Sequence, residues 1–306
     1  MKNLNKFILL TVVGFISSLV NESFGQSDPI IGLYRFNPQF VSPTNAGFEE
    51  NNRINLSYRN QWANLEGTPV TFGMTANIKW KENKGLGVNI ISDQIGPYNL
   101  SLVQGDFAYH AQLSEELYLS TGLRLGAGNY SYNFDGRLID PNDPNFSSEI
   151  SNGLRPLIGW GVQLAKKDQG FFISFSQPRI TRFKLGEDVK NGFRDITYSY
   201  LMSGTKIALG NEVSTKRGRY RSLTIYPSIL FRIAKDVPLS TDINLNANLK
   251  GLVDIGGSIR LNDSYGIRLG VQATNRIYVG YLYEIPSSLL SNIVGATNEF
   301  ALRYSF

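Results

Sequence analysis

Glu299-Phe300-Ala301-Leu302-Arg303-Tyr304-Ser305-Phe306 closes the sequence, and no other stretch says as much about architecture. Phe300, Leu302, Tyr304 and Phe306 fall on one face of an extended strand, and Glu299, Ala301, Arg303 and Ser305 on the other. The same period of two runs back through the sequence. Ile243, Leu245, Ala247 and Leu249 oppose Asp242, Asn244, Asn246 and Asn248. Val253, Ile255, Ile259 and Leu261 oppose Asp254, Ser258 and Arg260. Tyr265, Ile267, Leu269 and Val271 oppose Gly266, Arg268 and Gln272. Ile277, Val279, Tyr281 and Tyr283 oppose Tyr278, Gly280 and Glu284.

A soluble β-sandwich would alternate in the same way. Three features favour a membrane barrel instead. Charged side chains stand on the polar face, which suits a wet lumen. Aromatic residues fall near strand ends, at Tyr58, Trp62, Trp80, Tyr130, Tyr265 and Tyr283, as an interfacial girdle requires. The last residue is Phe, on an aromatic-rich strand. Composition agrees: hydrophobic content is only 42%, with 16 Tyr, 18 Phe and 30 Gly. A chain this polar crosses a membrane as a barrel, where lipid-facing and lumen-facing residues average out.

The expected fold is therefore all-β, a single transmembrane barrel of about fourteen antiparallel strands in an up-and-down meander. Strands are expected to begin near Arg53, Val70, Gly85, Leu100, Leu117, Arg155 and Gly170, then near Ile196, Arg221, Thr241, Leu252, Ser264, Arg276 and Asn298. Pro227 interrupts one of them, since proline removes a ladder donor, so a bulge or a shifted boundary is expected there. Helical spacing is confined to residues 287–294. The longest connections, at 133–153, 177–194 and 286–296, follow odd-numbered strands, whereas those after even-numbered strands are mostly short. Short turns face the periplasm in such barrels, which places both termini there.

The start of the chain reads as an export signal. Lys2 and Lys6 precede an apolar run over residues 7–20, and Ser23-Phe24-Gly25 supplies small residues before a cut between Gly25 and Gln26. The run is short for a membrane anchor, which needs ~20 apolar residues. The expected organisation is a signal peptide at 1–25, a periplasmic N-terminal segment at 26–52 and an outer-membrane barrel at 53–306. The chain has no cysteine, so disulfides, thiolate metal sites and a cysteine lipid anchor are excluded.

Net charge is +5, much of it in turns assigned to the periplasm. Lys81 and Lys84 flank one turn, Lys166 and Lys167 another, and Lys216 and Arg217 belong to a third cluster. Two readings stand level: solvation of turns beside the headgroups, or docking of an acidic periplasmic partner. Nucleic acid is a poor partner for an exported protein.

Residues 34–47, Tyr34-Arg35-Phe36-Asn37-Pro38-Gln39-Phe40-Val41-Ser42-Pro43-Thr44-Asn45-Ala46-Gly47, resemble the N-terminal signature of the PorP/SprF family. Further matches follow in order: Tyr58-Arg59-Asn60-Gln61-Trp62, Gly67-Thr68-Pro69, Lys84-Gly85-Leu86-Gly87, Asp93-Gln94-Ile95-Gly96-Pro97, Tyr281-Leu282-Tyr283-Glu284 and the last strand. Ser42, Thr44-Asn45 and Asn298 depart from the family pattern. The resemblance implies an outer-membrane component of the type IX secretion system of Bacteroidota. It implies periplasmic ring and lipoprotein subunits and secreted cargo as partners, and a role in export or surface attachment, gliding adhesins included.

Chemistry adds little. His110, beside Asp106, is the only histidine, and no serine stands out as its partner, so a strand histidine outweighs a hydrolase site. Asp140, Asp143 and Glu149, with Asn142 and Asn145, lack the spacing of a calcium loop, and a solvated loop is the better reading. No cofactor is expected. Gly122, Gly126 and Gly128 are read as relieving crowding in the lumen. Inward charges form the candidate site: Arg59, Arg124, Arg232, Asp242 and Asp254, together with Arg260, Arg268, Glu284 and Arg303. They make either a filled, rigid lumen or a selective channel. The functional expectation is a non-enzymatic secretion-system barrel working through protein contacts, with a passive porin or small-solute outer-membrane transporter as the alternative.

Overall fold

The structure is a computed structural model; it describes residues 29–133, 149–151, 153–167, 170–182, 195–215, 218–287 and 294–306. Sixteen strand segments make one antiparallel sheet. They are β1 (Arg53–Asn60), β2 (Val70–Lys81), β3 (Lys84–Ile95), β4 (Tyr98–Gln112), β5 (Leu117–Asn133), β6 (Glu149–Ser151), β7 (Arg155–Lys166) and β8 (Phe171–Gln177). They continue as β9 (Ser199–Thr205), β10 (Ile207–Thr215), β11 (Gly218–Ile233), β12 (Ser240–Leu249), β13 (Val253–Arg260), β14 (Ser264–Gln272), β15 (Ile277–Pro286) and β16 (Thr297–Ser305).

Two pairs of segments are single strands with a break. β6 and β7 both pair with β5, and β9 and β10 both pair with β11 in a register that carries across their break and shifts only between Leu209 and Glu212. The ring therefore has fourteen strands. It closes where β1 pairs with β16, from Arg53 opposite Ser305 to Asn60 opposite Asn298. The last strand thus has a partner on both sides, as a barrel without edges requires.

Pro227 does not end its strand. It lies within β11 opposite Leu245 of β12. On its other side the ladder stops, between Ser228 opposite Gly204 and Ile225 opposite Ile207. The missing donor of Pro227 thus coincides with the gap between β9 and β10, and the defect is taken up by the neighbour.

Burial is inverted relative to a soluble protein. On β12, Asp242 and Asn244 are buried while Leu245 is 57% exposed. On β16, Glu299 is fully buried and Phe300 is exposed, as are Leu302, Tyr304 and Phe306. The exposed apolar side chains face outward, where lipid replaces water. Tyr58, Trp80, Tyr265 and Tyr283 are exposed on that exterior. Tyr130 is a correction to the expected girdle: it is buried in the lumen, its ring 4.9 Å from that of Tyr98 and tilted by 44°.

The two ends of the barrel differ. Residues 61–69, 134–148, 178–198, 234–239 and 287–296 connect strands at one end, which carries the longest loops. Both ends of the strand order, Arg53 and Ser305, lie at the other, with connections such as 82–83, 113–116 and 250–252. Lys250 and Gly251 both take positive φ, at 54° and 68°, which is the backbone of a tight hairpin turn. The helical spacing at 287–294 falls mostly on residues outside those described.

The largest departure from expectation is residues 29–48 of the segment expected in the periplasm. They do not hang free as a periplasmic segment but lie inside the barrel as a plug. Leu33, Tyr34, Phe36, Phe40, Val41 and Ala46 are buried there. Two short 3-10 turns, Pro38–Phe40 and Pro43–Asn45, fold the segment back on itself. Its own turns satisfy part of the backbone, with Phe36 N–H bonded to the Leu33 carbonyl and Val41 N–H to that of Pro38, and the barrel wall meets other groups.

Candidate functional site

The lumen charges fall into two groups. On one half of the wall they form an unbroken chain of opposite signs. Glu299 meets Arg59 at 3.0 Å, and Arg59 meets Glu284 at 3.0 Å. Glu284 meets Arg260 at 2.7 Å, Arg260 meets Asp242 at 2.9 Å, and Asp242 meets Arg232 at 2.6 Å. Ser264 adds a hydrogen bond to Glu284. Seven consecutive strands contribute, from β11 through β16 to β1, which is half the ring. Each charge within the chain has an opposite charge on both sides, which offsets the large cost of removing it from water.

The plug is fastened to this chain at its end. The Glu299 carboxylate accepts the N–H of Gly32 at 2.7 Å and of Leu33 at 2.9 Å. Arg268 donates to the carbonyl of Gly32 at 2.8 Å. Asn244 donates to the Tyr34 hydroxyl. Burial of that hydroxyl, with Asp242 nearby, pushes its pKa up to about 12.

The second group holds the middle of the plug from the opposite wall. Arg124 grips Asp106 through two hydrogen bonds, Nε to Oδ1 at 2.6 Å and Nη2 to Oδ2 at 2.8 Å. The same guanidinium donates to the carbonyls of Gln39 at 2.6 Å and Phe40 at 3.3 Å. Gln39 Nε2 completes the cluster by donating to Asp106 at 3.0 Å. One fully buried arginine thus satisfies a carboxylate and two plug carbonyls.

Further along, Asn77 works as a backbone mimic. Its Nδ2 donates to the Asn45 carbonyl at 2.7 Å, and its Oδ1 accepts from Gly47 N at 2.7 Å. His110 has the same kind of role. Its Nε2 lies 2.9 Å from the Ala46 carbonyl and its Nδ1 2.8 Å from Ser120 Oγ. The carbonyl can only accept, so Nε2 carries the proton and Nδ1 accepts from Ser120. Asp106 is committed to Arg124 and Gln39, and the His110 ring nitrogens are engaged by Ser120 and the Ala46 carbonyl.

Close approach of the plug also explains Gly122 on β5. A Cβ there would stand 2.6 Å from Thr44 N, inside contact distance. The loop end of the lumen is less polar than expected. Tyr98, Leu100 and Leu102 on the inner face of β4 pack with Ile91, Tyr130 and Leu157 around Phe40 of the plug. Tyr130 reaches Asp195, which Arg179 holds at 2.5 Å.

The remaining candidates lie apart from these clusters. Arg303 donates to Asn55 at 2.9 Å and lies over the ring of Tyr278. Asp254 accepts from Asn248 at 3.1 Å. At the short-turn rim, Lys166 pairs with Glu116 at 3.0 Å and Lys167 with Glu50 at 3.6 Å. Lys81 lies over Trp80, and Lys84 stands across that turn. Lys216, Arg217, Gly25 and Gln26 lie outside the described residues, as do Asp140, Asp143 and the side chain of Glu149. Glu299 was not among the candidate charges although it anchors the plug; its place on the polar face of the last strand was the available signal.

A closed antiparallel ring with an apolar exterior, a charged interior and long loops at one end is an outer-membrane β-barrel, here occupied by its own N-terminal segment. The chain belongs to the PorP/SprF family of type IX secretion system membrane proteins, whose family model matches residues 23–304. No curated protein sequence gives a significant match. Among solved structures, the CymD monoaromatic hydrocarbon channel is similar at 12% identity and a TM-score of 0.49, over 92% of this chain and 95% of that one. The toluene transporter TbuX of Ralstonia pickettii is similar at 8% identity and 0.46, over 92% and 96%. The outer membrane protein Omp33 of Acinetobacter baumannii is similar at 10% identity and 0.44, over 85% and 100%. At those scores the likenesses carry no argument; the fold rests on the strand pairing itself.

Proposed function

We propose that this barrel is a non-enzymatic component of the type IX system that supports export or surface attachment of secreted proteins, gliding adhesins included. It acts through contacts with other proteins and not by passing solutes. The observation that carries this reading is the plug. Residues 29–48 cross the lumen and are held at Glu299, Arg268, Arg124, Asn77 and His110. A passive porin needs an open, water-filled lumen. Family membership supplies the system in which the barrel works.

In this reading residues 1–25 are the signal peptide and are cut away before Gln26. The short-turn end faces the periplasm, where ring and lipoprotein subunits are the partners. The exposed rim residues Lys81 and Lys166, together with Lys84, Lys167, Lys216 and Arg217, are the proposed contacts for acidic surfaces there. Deleting the gene and assaying surface delivery of each type IX cargo tests the reading. Loss of at least one cargo from the surface is expected. Normal delivery of every cargo, with steady ion conductance by the purified barrel, would overturn it in favour of a porin.

A further inference from the structure

Between the plug and the short-turn rim lies a cavity of about 670 Å³. That is within the usual range for a ligand site, roughly 300–1,000 Å³. Residues from the rim, including Glu50, Lys167 and Gln272, line its mouth, and Tyr34 of the plug lies on its inner side. The cavity is thus a vestibule that opens at the end bearing the basic turns.

Its charge is unbalanced. Arg35, Arg53, Lys167, Lys206 and Arg303 line it against Glu49, Glu50 and Asp254. Glu49 is taken by Arg53 and Glu50 by Lys167. Asp254 accepts from Asn248, a neutral donor, so its single charge is set against both Arg35 and Arg303. Among the described residues neither Arg35 nor Arg303 has a carboxylate ion-pair partner; each lies instead against a ring. The Arg35 guanidinium is 4.0 Å from the Tyr226 centroid and Arg303 is 5.7 Å from that of Tyr278. Ser228 Oγ, on the same wall, is buried without a hydrogen-bond partner. Burial lowers the pKa of Arg35, with Asp254 as the largest opposing influence. Two guanidiniums held on aromatic rings, short of negative charge, make a receptor for carboxylates with apolar or aromatic spacing between them.

We propose that the vestibule takes an acidic, extended segment of a partner protein that enters from the short-turn end, its carboxylates meeting Arg35 and Arg303 between the Tyr226 and Tyr278 rings. The partner class rests on the secretion reading above, which this site deepens. A segment fits better than a lone anion because the cavity, at about 670 Å³, is far larger than a small anion and its lining offers two guanidiniums and two rings. The lysines of the rim steer the segment in, which sets its rate of arrival more than its final affinity.

The test uses the full barrel in lipid nanodiscs and a fluorescein-labelled peptide of alternating glutamate and tyrosine. A peptide with glutamine in place of glutamate is the control. The acidic peptide is expected to bind and the control to bind at least tenfold more weakly. Arg35→Gln is expected to weaken the acidic peptide at least tenfold. Arg35 belongs to the plug and not to the wall, so this variant keeps the test valid even where Arg303→Gln fails to fold. Lys81→Gln with Lys84→Gln is expected to slow association while leaving affinity within about threefold. Three results would overturn the proposal: no difference between acidic and control peptides, unchanged binding by Arg35→Gln, or displacement of the peptide by equimolar inorganic phosphate, which would mark a small-anion site. The failures separate from those of the secretion reading. Peptide binding with every cargo delivered removes the secretion role and keeps the site, whereas lost delivery without peptide binding does the reverse.

Discussion

The carboxylate of Glu299 accepts the backbone N–H of Leu33 at 2.9 Å, across a separation of 266 residues. One strand near the end of the chain thereby holds a segment near its beginning. The same carboxylate is the terminal member of the ion-pair chain through Arg59. Fixing the plug and balancing the wall charges are therefore one task at this position.

Glu299→Ala is expected to leave Arg59 with a single acidic partner and the Gly32 and Leu33 amides without an acceptor. Loss of one member of a buried ion network typically costs about 3–5 kcal/mol. Urea unfolding of the barrel in micelles measures it. A loss below about 1 kcal/mol would show that the network carries little of the stability.

Removing residues 29–48 is expected to convert a barrel with little conductance into an open channel, because the plug crosses the lumen and no described strand replaces it. Single-channel recording in planar bilayers compares the two forms. Equal conductance would mean that the plug leaves the lumen in the membrane.

Gly122→Val is expected to destabilise the barrel by about 1–3 kcal/mol, the usual cost of overpacking. The new side chain would collide with the backbone at Pro43 and Thr44, which cannot swing aside as a side chain would. Gly105→Ala is the matched control, since the nearest atom to its added Cβ is at 3.9 Å. Similar unfolding curves for both variants would sink the close-approach argument.

Arg124→Met is expected to cost about 3–5 kcal/mol by stranding Asp106 and two plug carbonyls. Lys166→Gln, which breaks the exposed pair with Glu116, is expected to cost less than about 1 kcal/mol. Thermal or urea unfolding of the two variants side by side gives the contrast, and equal losses would contradict it.

Tyr34 predicts an alkaline limit. Its folded pKa of about 12 lies above the unfolded value near 10. A raised folded pKa gives stability that is fully present below the unfolded value and is lost as pH rises from about 10 to about 12. Tyr34→Phe is expected to flatten stability over that window, although it also removes the bond to Asn244. Unfolding midpoints between pH 9 and pH 12 decide it.

The strands were legible because each carries one apolar and one polar face, and a single step in register would turn every side chain around. Asp242 and Leu245 could be assigned to opposite faces from order alone. Which charges meet was not legible, because pairing depends on the stagger between strands. Arg260 reaches both Asp242 on the adjacent β12 and Glu284 two strands away on β15. The plug was missed for a different reason. Residues 34–47 have no period, and their burial depends on wall residues such as Arg124 and Asn77 that lie far along the chain. Their likeness to a family signature marked the segment as special without saying where it goes. Pro227 was read as a local fault, whereas its effect falls on the neighbouring strand.

The bond between Leu33 and Glu299 also imposes an order on assembly. Residues near 33 leave the ribosome first, and Glu299 among the last. The plug therefore has no complete seat until β16 has been made and zipped against β1. A chain truncated before Glu299 would keep most of its wall yet lose the fastening at Gly32 and Leu33, leaving the segment held by Arg268, Arg124, Asn77 and His110. The N-terminal stretch acts in this sense as a reporter of ring completion: the full set of its fastenings is met only in a barrel whose seam has shut.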